Sequence, residues 1–228
     1  VTIDGTSGPV SSDQISYEAP SITSAPGFNS IATGTPEQIY ILGSNFGDGQ
    51  SAVSVRYTNS NGDVFFATGC IPSNHNRLAC YSSIGSGTGL QWTVTVGHQT
   101  SDLFPVNPLT NVSSYRKSTI SAIYVDNALV SGNSPRLNGV GGQNLELIGS
   151  FFGPTVNINA NIIKLQYGRD DNQAIKYEVG CSASNHSRLL CTSVAGVGTD
   201  HVLRAIINGL IGEWTSSLSL SYKEPSVS

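Results

Sequence analysis

A twelve-residue block occurs twice in this chain. Gly69-Cys70-Ile71-Pro72-Ser73-Asn74-His75-Asn76-Arg77-Leu78-Ala79-Cys80 returns 111 residues later as Gly180-Cys181-Ser182-Ala183-Ser184-Asn185-His186-Ser187-Arg188-Leu189-Leu190-Cys191. Two further blocks repeat around it in the same order. Ile41-Leu42-Gly43-Ser44-Asn45-Phe46-Gly47 matches Leu147-Ile148-Gly149-Ser150-Phe151-Phe152-Gly153, and Gly85-Ser86-Gly87-Thr88 matches Gly196-Val197-Gly198-Thr199. Ordered blocks whose offsets differ by only a few residues, as loop lengths would, mark duplicated units. The 228 residues thus divide into two homologous domains of roughly 100 residues each.

The pattern inside each unit is that of strands. Ile39, Ile41 and Gly43 alternate with Tyr40 and Leu42, and Val53, Val55 and Tyr57 alternate with Ser54 and Arg56. Leu90, Trp92, Val94 and Val96 share one face, as do Ile163, Leu165 and Tyr167. Period-two alternation bounded by Gly, Asn, Asp and Ser means half-buried strands. Asp4-Gly5, Asn61-Gly62 and Asn208-Gly209 are hairpin signals, because type I′ turns need positive φ. Short strands at near-regular spacing predict an all-β, two-sheet sandwich for each unit. Trp92 belongs to the core face, with Leu203 in its place in the second unit. The stretch from Asn157 to Ile163 fits neither pattern.

A partial third copy frames the two units. Tyr17-Glu18-Ala19-Pro20-Ser21-Ile22 resembles Tyr222-Lys223-Glu224-Pro225-Ser226-Val227. Val1-Thr2-Ile3-Asp4-Gly5 matches Val94-Thr95-Val96-Gly97 and Ala205-Ile206-Ile207-Asn208-Gly209. The expected division is a terminal hairpin of a preceding repeat over 1–16, domains over 17–116 and 117–223, and the start of a following repeat at 224–228. The chain is expected to be a window on a longer array. With no Met in it, it is read as a mature product or an excerpt.

The four cysteines form two pairs of identical spacing, Cys70 with Cys80 and Cys181 with Cys191. An antiparallel hairpin centred on each Ser-Asn-His turn puts the two cysteines opposite each other, within reach of a disulfide. Zinc would want tighter Cys-x-x-Cys or Cys/His pairs. Disulfides imply an oxidising compartment, where N-glycosylation sequons acquire meaning. Asn111-Val112-Ser113 and Asn185-His186-Ser187 qualify, whereas Asn133-Ser134-Pro135 fails through its Pro. Asn111 and Asn185 are therefore the candidate sites for covalent glycans.

The order of features in each unit resembles a known family. A Pro and an Ile come early, then a strand ending Gly-Ser-x-Phe-Gly, a Cys on a strand, Gly-x-Gly-Thr, a Val-rich strand with a Gly turn, and Ser-Tyr at the end. This is similar to the IPT/TIG domain. The likeness covers about 17–116 and 117–223, with the second unit keeping its late hairpin less closely as Ile207-Asn208-Gly209-Leu210. The resemblance implies two tandem immunoglobulin-like β-sandwiches of the kind found in receptors and large extracellular arrays. It implies a fold, not an activity.

Other functions are disfavoured by composition. Charged residues are 11% and the net charge is −4, with no basic block to meet nucleic acid. No apolar run approaches the ~18 residues of a membrane span. Ser, His and Asp occur without a convincing nucleophile elbow, and Gly85–Gly89 joins two strands rather than a strand and a helix. His75 and His186 are explained by hairpin geometry. Asp170-Asp171 is a solvated turn rather than a calcium site, since no further acids lie near it. No enzyme, metal or cofactor is expected. Trp214 has no aligned aromatic partner, and Phe65-Phe66 puts one aromatic on each strand face, so these three are candidate inter-domain or inter-chain contacts.

The expected role is a non-catalytic extracellular structural protein, a glycosylated filament or surface coat. Its partners would be neighbouring copies, joined head to tail or by strand addition through Val1–Tyr17. The alternative is the ectodomain of a cell-surface adhesion or recognition receptor. A weaker third class is an accessory module of a secreted carbohydrate-active enzyme.

Overall fold

The computed structural model describes residues 2–7, 16–24, 30–105, 113–132, 134–154, 163–169 and 175–225. A short hairpin, β1 (Thr2–Ile3) and β2 (Thr6–Ser7), comes first. The first sandwich holds β3 (Ser21–Ser24), β4 (Gln38–Ser44), β5 (Val53–Thr58), β6 (Val64–Asn74), β7 (Arg77–Tyr81), β8 (Gln91–Val96) and β9 (Gln99–Thr100). The second holds β10 (Thr119–Val125), β11 (Ala128–Leu129), β12 (Asn144–Ser150), β13 (Ile163–Arg169), β14 (Tyr177–Asn185), β15 (Arg188–Thr192), β16 (His201–Ile207), β17 (Leu210–Ile211) and β18 (Ser219–Leu220).

All named strand pairs are antiparallel. The strand order of the first sandwich is β3-β4-β7-β6-β5-β8-β9, and β10-β12-β15-β14-β13-β16-β17 follows the same path in the second, with β11 and β18 added at its margins. One strand in each sandwich serves both layers. The first half of β6 pairs with β5 and its second half with β7, and β14 divides in the same way between β13 and β15. The layers enclose separate cores. Ile39, Ile41 and Leu78 meet Val55, Tyr57, Trp92 and Val94 in the first, and Leu145, Leu147 and Leu189 meet Leu165, Tyr167 and Leu203 in the second. Trp92 and Leu203 are both fully buried, as their alternation requires.

Glycine is demanded at one point in the shared Gly-Ser-x-Phe-Gly block. A Cβ on Gly43 would overlap the Ser21 carbonyl oxygen, and one on Gly149 would overlap that of Thr119. The turn chemistry holds at two of the three expected places. Asp4 (φ 50) with Gly5 (φ 78) and Asn208 (φ 49) with Gly209 (φ 79) have the paired positive φ of a type I′ turn. The reading of Asn61-Gly62 is corrected: only Gly62 has positive φ (85). There the Asn59 side chain accepts the amides of Asn61 and Asp63, at 3.0 and 2.9 Å, and organises a wider loop.

Each sandwich is closed by its last tyrosine. Tyr115 shares a hydrogen bond of 3.0 Å between its hydroxyl and that of Tyr57, and Tyr222 shares one of 2.9 Å with Tyr167. Tyr115 also donates to Ser83 O at 3.0 Å, and Tyr222 to Val194 O at 2.9 Å. Burial pushes the Tyr115 and Tyr222 phenols far up, so both stay neutral and act as hydrogen-bond donors. Replacing Tyr222 by Phe leaves the Val194 carbonyl and the Tyr167 hydroxyl short of a partner. The expected cost is about 1–3 kcal/mol, confined to the second sandwich. Calorimetry on the full chain should show one transition lowered and the other unmoved.

Candidate functional site

Both predicted cysteine pairs are disulfides, Cys70–Cys80 with Cα atoms 4.1 Å apart and Cys181–Cys191 with 4.4 Å. Each ties the sheet-switching strand to its neighbour. Cys181 lies directly opposite Cys191 in the ladder. In the first sandwich the pairing jumps from Thr68↔Tyr81 to Ile71↔Ala79. Gly69 and Cys70 thus oppose Cys80 alone, a β-bulge with Gly69 at φ 59.

The turn beyond each disulfide carries the repeated histidine. Its tightness comes from asparagine: Asn74 Oδ1 accepts the Asn76 amide and Asn185 Oδ1 accepts the Ser187 amide, both at 2.9 Å. Asn185 also accepts the Ser187 hydroxyl at 3.0 Å and is exposed. The second sequon, Asn111, lies outside the described residues, as does Asp170-Asp171.

The two histidines differ in setting. His75 is exposed, whereas His186 is half-buried where the sandwiches meet. Its Nδ1 lies 3.0 Å from Thr33 Oγ1 of the first sandwich. The ring fills the space above Gly34, where a Cβ would stand 2.6 Å from Nδ1. Sequence reasoning gave His186 a turn role only, and the contact with Thr33 and Gly34 was missed.

Around His186 the joint is built from small and polar groups. Asn208 Nδ2 donates to Ser86 Oγ at 2.8 Å across the boundary. A Cβ on Gly153 would sit 3.2 Å from Ser86 Cβ, so this glycine lets the loop approach. Leu210 leaves its own sandwich to pack against the first core. Phe151 holds a left-handed backbone (φ 64), a costly conformation for an aromatic residue. Its ring stands edge-on to His186 at 5.8 Å and under the Arg116 guanidinium at 5.6 Å. Arg116 is anchored in turn by Glu37 Oε1 and the Ser30 carbonyl, both at 2.9 Å. The crossing chain has no slack here: the Arg116 amide bonds Ile31 O at 2.9 Å, and Lys117 already pairs with Glu213 at 2.6 Å.

The three aromatic candidates separate. Phe65 is corrected: it is a core residue, stacked on Tyr57 at 5.2 Å because the register sets the two opposite each other. Phe66 is the outward one, 60% exposed. Trp214 is half-buried outside the joint, in a groove of about 130 Å³ with Thr119, Ile120 and Leu218. The Arg204 guanidinium lies 4.4 Å from its ring centre.

Among the described residues no three His, Cys, Asp or Glu side chains gather as metal ligands, and no helix is long and apolar enough to cross a membrane. Comparison with protein-family models and with curated proteins gives no match.

Two predictions follow from this geometry. Replacing Cys181 and Cys191 together by Ala should destabilise the second sandwich by about 2–3 kcal/mol, the loop-closure value for so short a loop, read as a lowered denaturant midpoint. The second concerns acid. Burial depresses the His186 pKa below its ordinary 6.5, so the unfolded state takes up the proton more readily. The stability contributed by neutral His186 is complete above pH 6.5 and is lost as pH falls through the folded-state value. NMR titration should show the Thr33 and Gly34 amides shifting with the His186 ring below pH 6.5, and His186→Gln should abolish that shift.

Proposed function

We propose that this chain is a segment of a non-catalytic extracellular structural protein, in which immunoglobulin-like repeats of the IPT/TIG type stack into a glycosylated filament or surface coat. The observation that carries this reading is the joint. Two disulfide-tied sandwiches meet through interlocking loops, with one residue, Arg116, between the last core tyrosine of one and the first ion pair of the next. Quasi-one-dimensional arrays are built from units that touch only their neighbours in this way. Two disulfides fit an oxidising, extracellular setting. Asn185, exposed on its turn, is the proposed glycan attachment point, beside the joint rather than within it.

The second reading is the ectodomain of an adhesion or recognition receptor. Phe66 and Ile71, 60% and 66% exposed on β6, favour it, because outward apolar side chains on one strand suit a partner surface.

Electron microscopy of the native full-length material separates the two. Uniform fibres with an axial repeat of one or two sandwiches are expected; isolated flexible rods would transfer the assignment to the receptor. Peptide mapping after enzymatic deglycosylation should find Asn185 converted to Asp, and an unmodified Asn185 in native material would remove the glycan from the proposal.

A further inference from the structure

The face that the second sandwich turns toward the first has a counterpart on the first sandwich, and that counterpart is open. The matching shared blocks and strand registers equate Phe151, Gly153 and His186 with Asn45, Gly47 and His75. They equate Ile207, Asn208 and Leu210 with Val96, Gly97 and Gln99. The backbone agrees: Asn45 has φ 61 against 64 for Phe151, and Gly47 has φ 79 against 83 for Gly153. In the second sandwich Gly153, His186, Asn208 and Leu210 meet the first sandwich directly, Phe151 lies under the crossing Arg116, and Ile207 packs beside Gly153. In the first sandwich all six line one open pocket of about 720 Å³.

The segment leading into that pocket carries the second observation. Ser16-Tyr17 stands before β3 as Ser114-Tyr115 stands before β10, and Ser221-Tyr222 closes the second unit. Tyr115 and Tyr222 are 0% and 1% exposed, each locked in the core of the sandwich it ends, whereas Tyr17 is 91% exposed. The β1–β2 hairpin, with its Asp4-Gly5 turn, stands ahead of Tyr17 as β16–β17, with Asn208-Gly209, stands ahead of Tyr222.

We propose that the pocket edged by Asn45, Gly47, His75, Val96, Gly97 and Gln99 is the docking seat for the loop end of a further sandwich of this repeat, joined in the same polypeptide, of which the β1–β2 hairpin is the last hairpin and Tyr17 the core tyrosine. The proposal rests on the tandem-array reading and adds where, and in what orientation, the next unit sits. It commits to a unit in the same chain over a second copy on two grounds. A second copy docking by its second sandwich would bring its own Tyr222–Glu224 to the place that Tyr17–Ala19 already holds. It would also present Val140, 84% exposed, where the observed joint needs Gly34. There a Cβ alone would meet the histidine ring at 2.6 Å.

The test extends the full chain with its own first unit. Residues 18–115 are placed directly ahead of residue 18, so that the added unit's tyrosine takes the place of Tyr17. Amide hydrogen exchange at Asn45–Gly47 and Val96–Gln99 is compared with the 228-residue chain. Slowing of tenfold or more, to the level of Phe151–Gly153 and Ile207–Leu210, is expected. Gly34→Leu in the added unit alone should reverse it, with that unit's folding checked by its intact disulfide and dispersed NMR spectrum. Unchanged exchange in a folded three-sandwich chain, with small-angle scattering of freely swinging units, overturns the proposal while leaving the fibre reading to microscopy. Sedimentation of the 228-residue chain should give a monomer. Head-to-tail association lost on His75→Asp would overturn the same-chain assignment in favour of a second copy.

Discussion

Two neutral phenols facing each other in a dry core set the geometry of everything around them. Tyr57 with Tyr115, and Tyr167 with Tyr222, satisfy each other's hydroxyls where water does not reach. An unpartnered hydroxyl there would cost more than the bond contributes, so both members must be present and correctly placed. One member sits mid-strand, while the other is the last core residue of its unit. The pair therefore fixes where the chain leaves each sandwich. Its rings also explain nearby glycines: a Cβ on Gly85 would strike the Tyr115 ring, and one on Gly196 the Tyr222 ring at 2.5 Å.

With the exit point fixed, the joint is a problem of fit. Its first-sandwich side carries little bulk, with Gly34 and Gly87 presenting backbone and Thr33 and Ser86 one hydroxyl each. The second-sandwich side supplies the bulk: His186, Phe151 and Leu210. Phe151 occupies a backbone conformation that Asn45 adopts at lower cost in the other unit. Strain of this kind persists only where the surroundings hold it, and His186 and Arg116 are what surround it. The Lys117–Glu213 pair is well exposed and adds little.

Much of this could be read from the sequence because the signals were local. Strand alternation, the paired cysteines and the Asp4-Gly5 and Asn208-Gly209 turns depend on neighbours a few residues away. What escaped depended on distance. Thr33 and His186 are 153 positions apart, and no periodicity links them. The faint trace was Phe151 in a slot where the sister block has Asn45. Phe65 and Phe66 were known to face opposite ways, but only the register with Tyr57 decides which faces inward. Gln166, placed by alternation on the outer face, is buried because Glu178 and Arg204 close over it with hydrogen bonds of 2.7 and 2.9 Å. Side chains from adjacent strands made an outer position an inner one.

Arg116 spans the boundary alone, with its amide committed to Ile31 and its guanidinium to Glu37 and Ser30. A hinge needs backbone free to turn, and these bonds hold the residue to the first sandwich. The end-to-end span of a flexible linker grows only as the square root of its residue count. With no such linker between them, the separation of the two sandwiches is set by the joint itself rather than by the random walk of a chain.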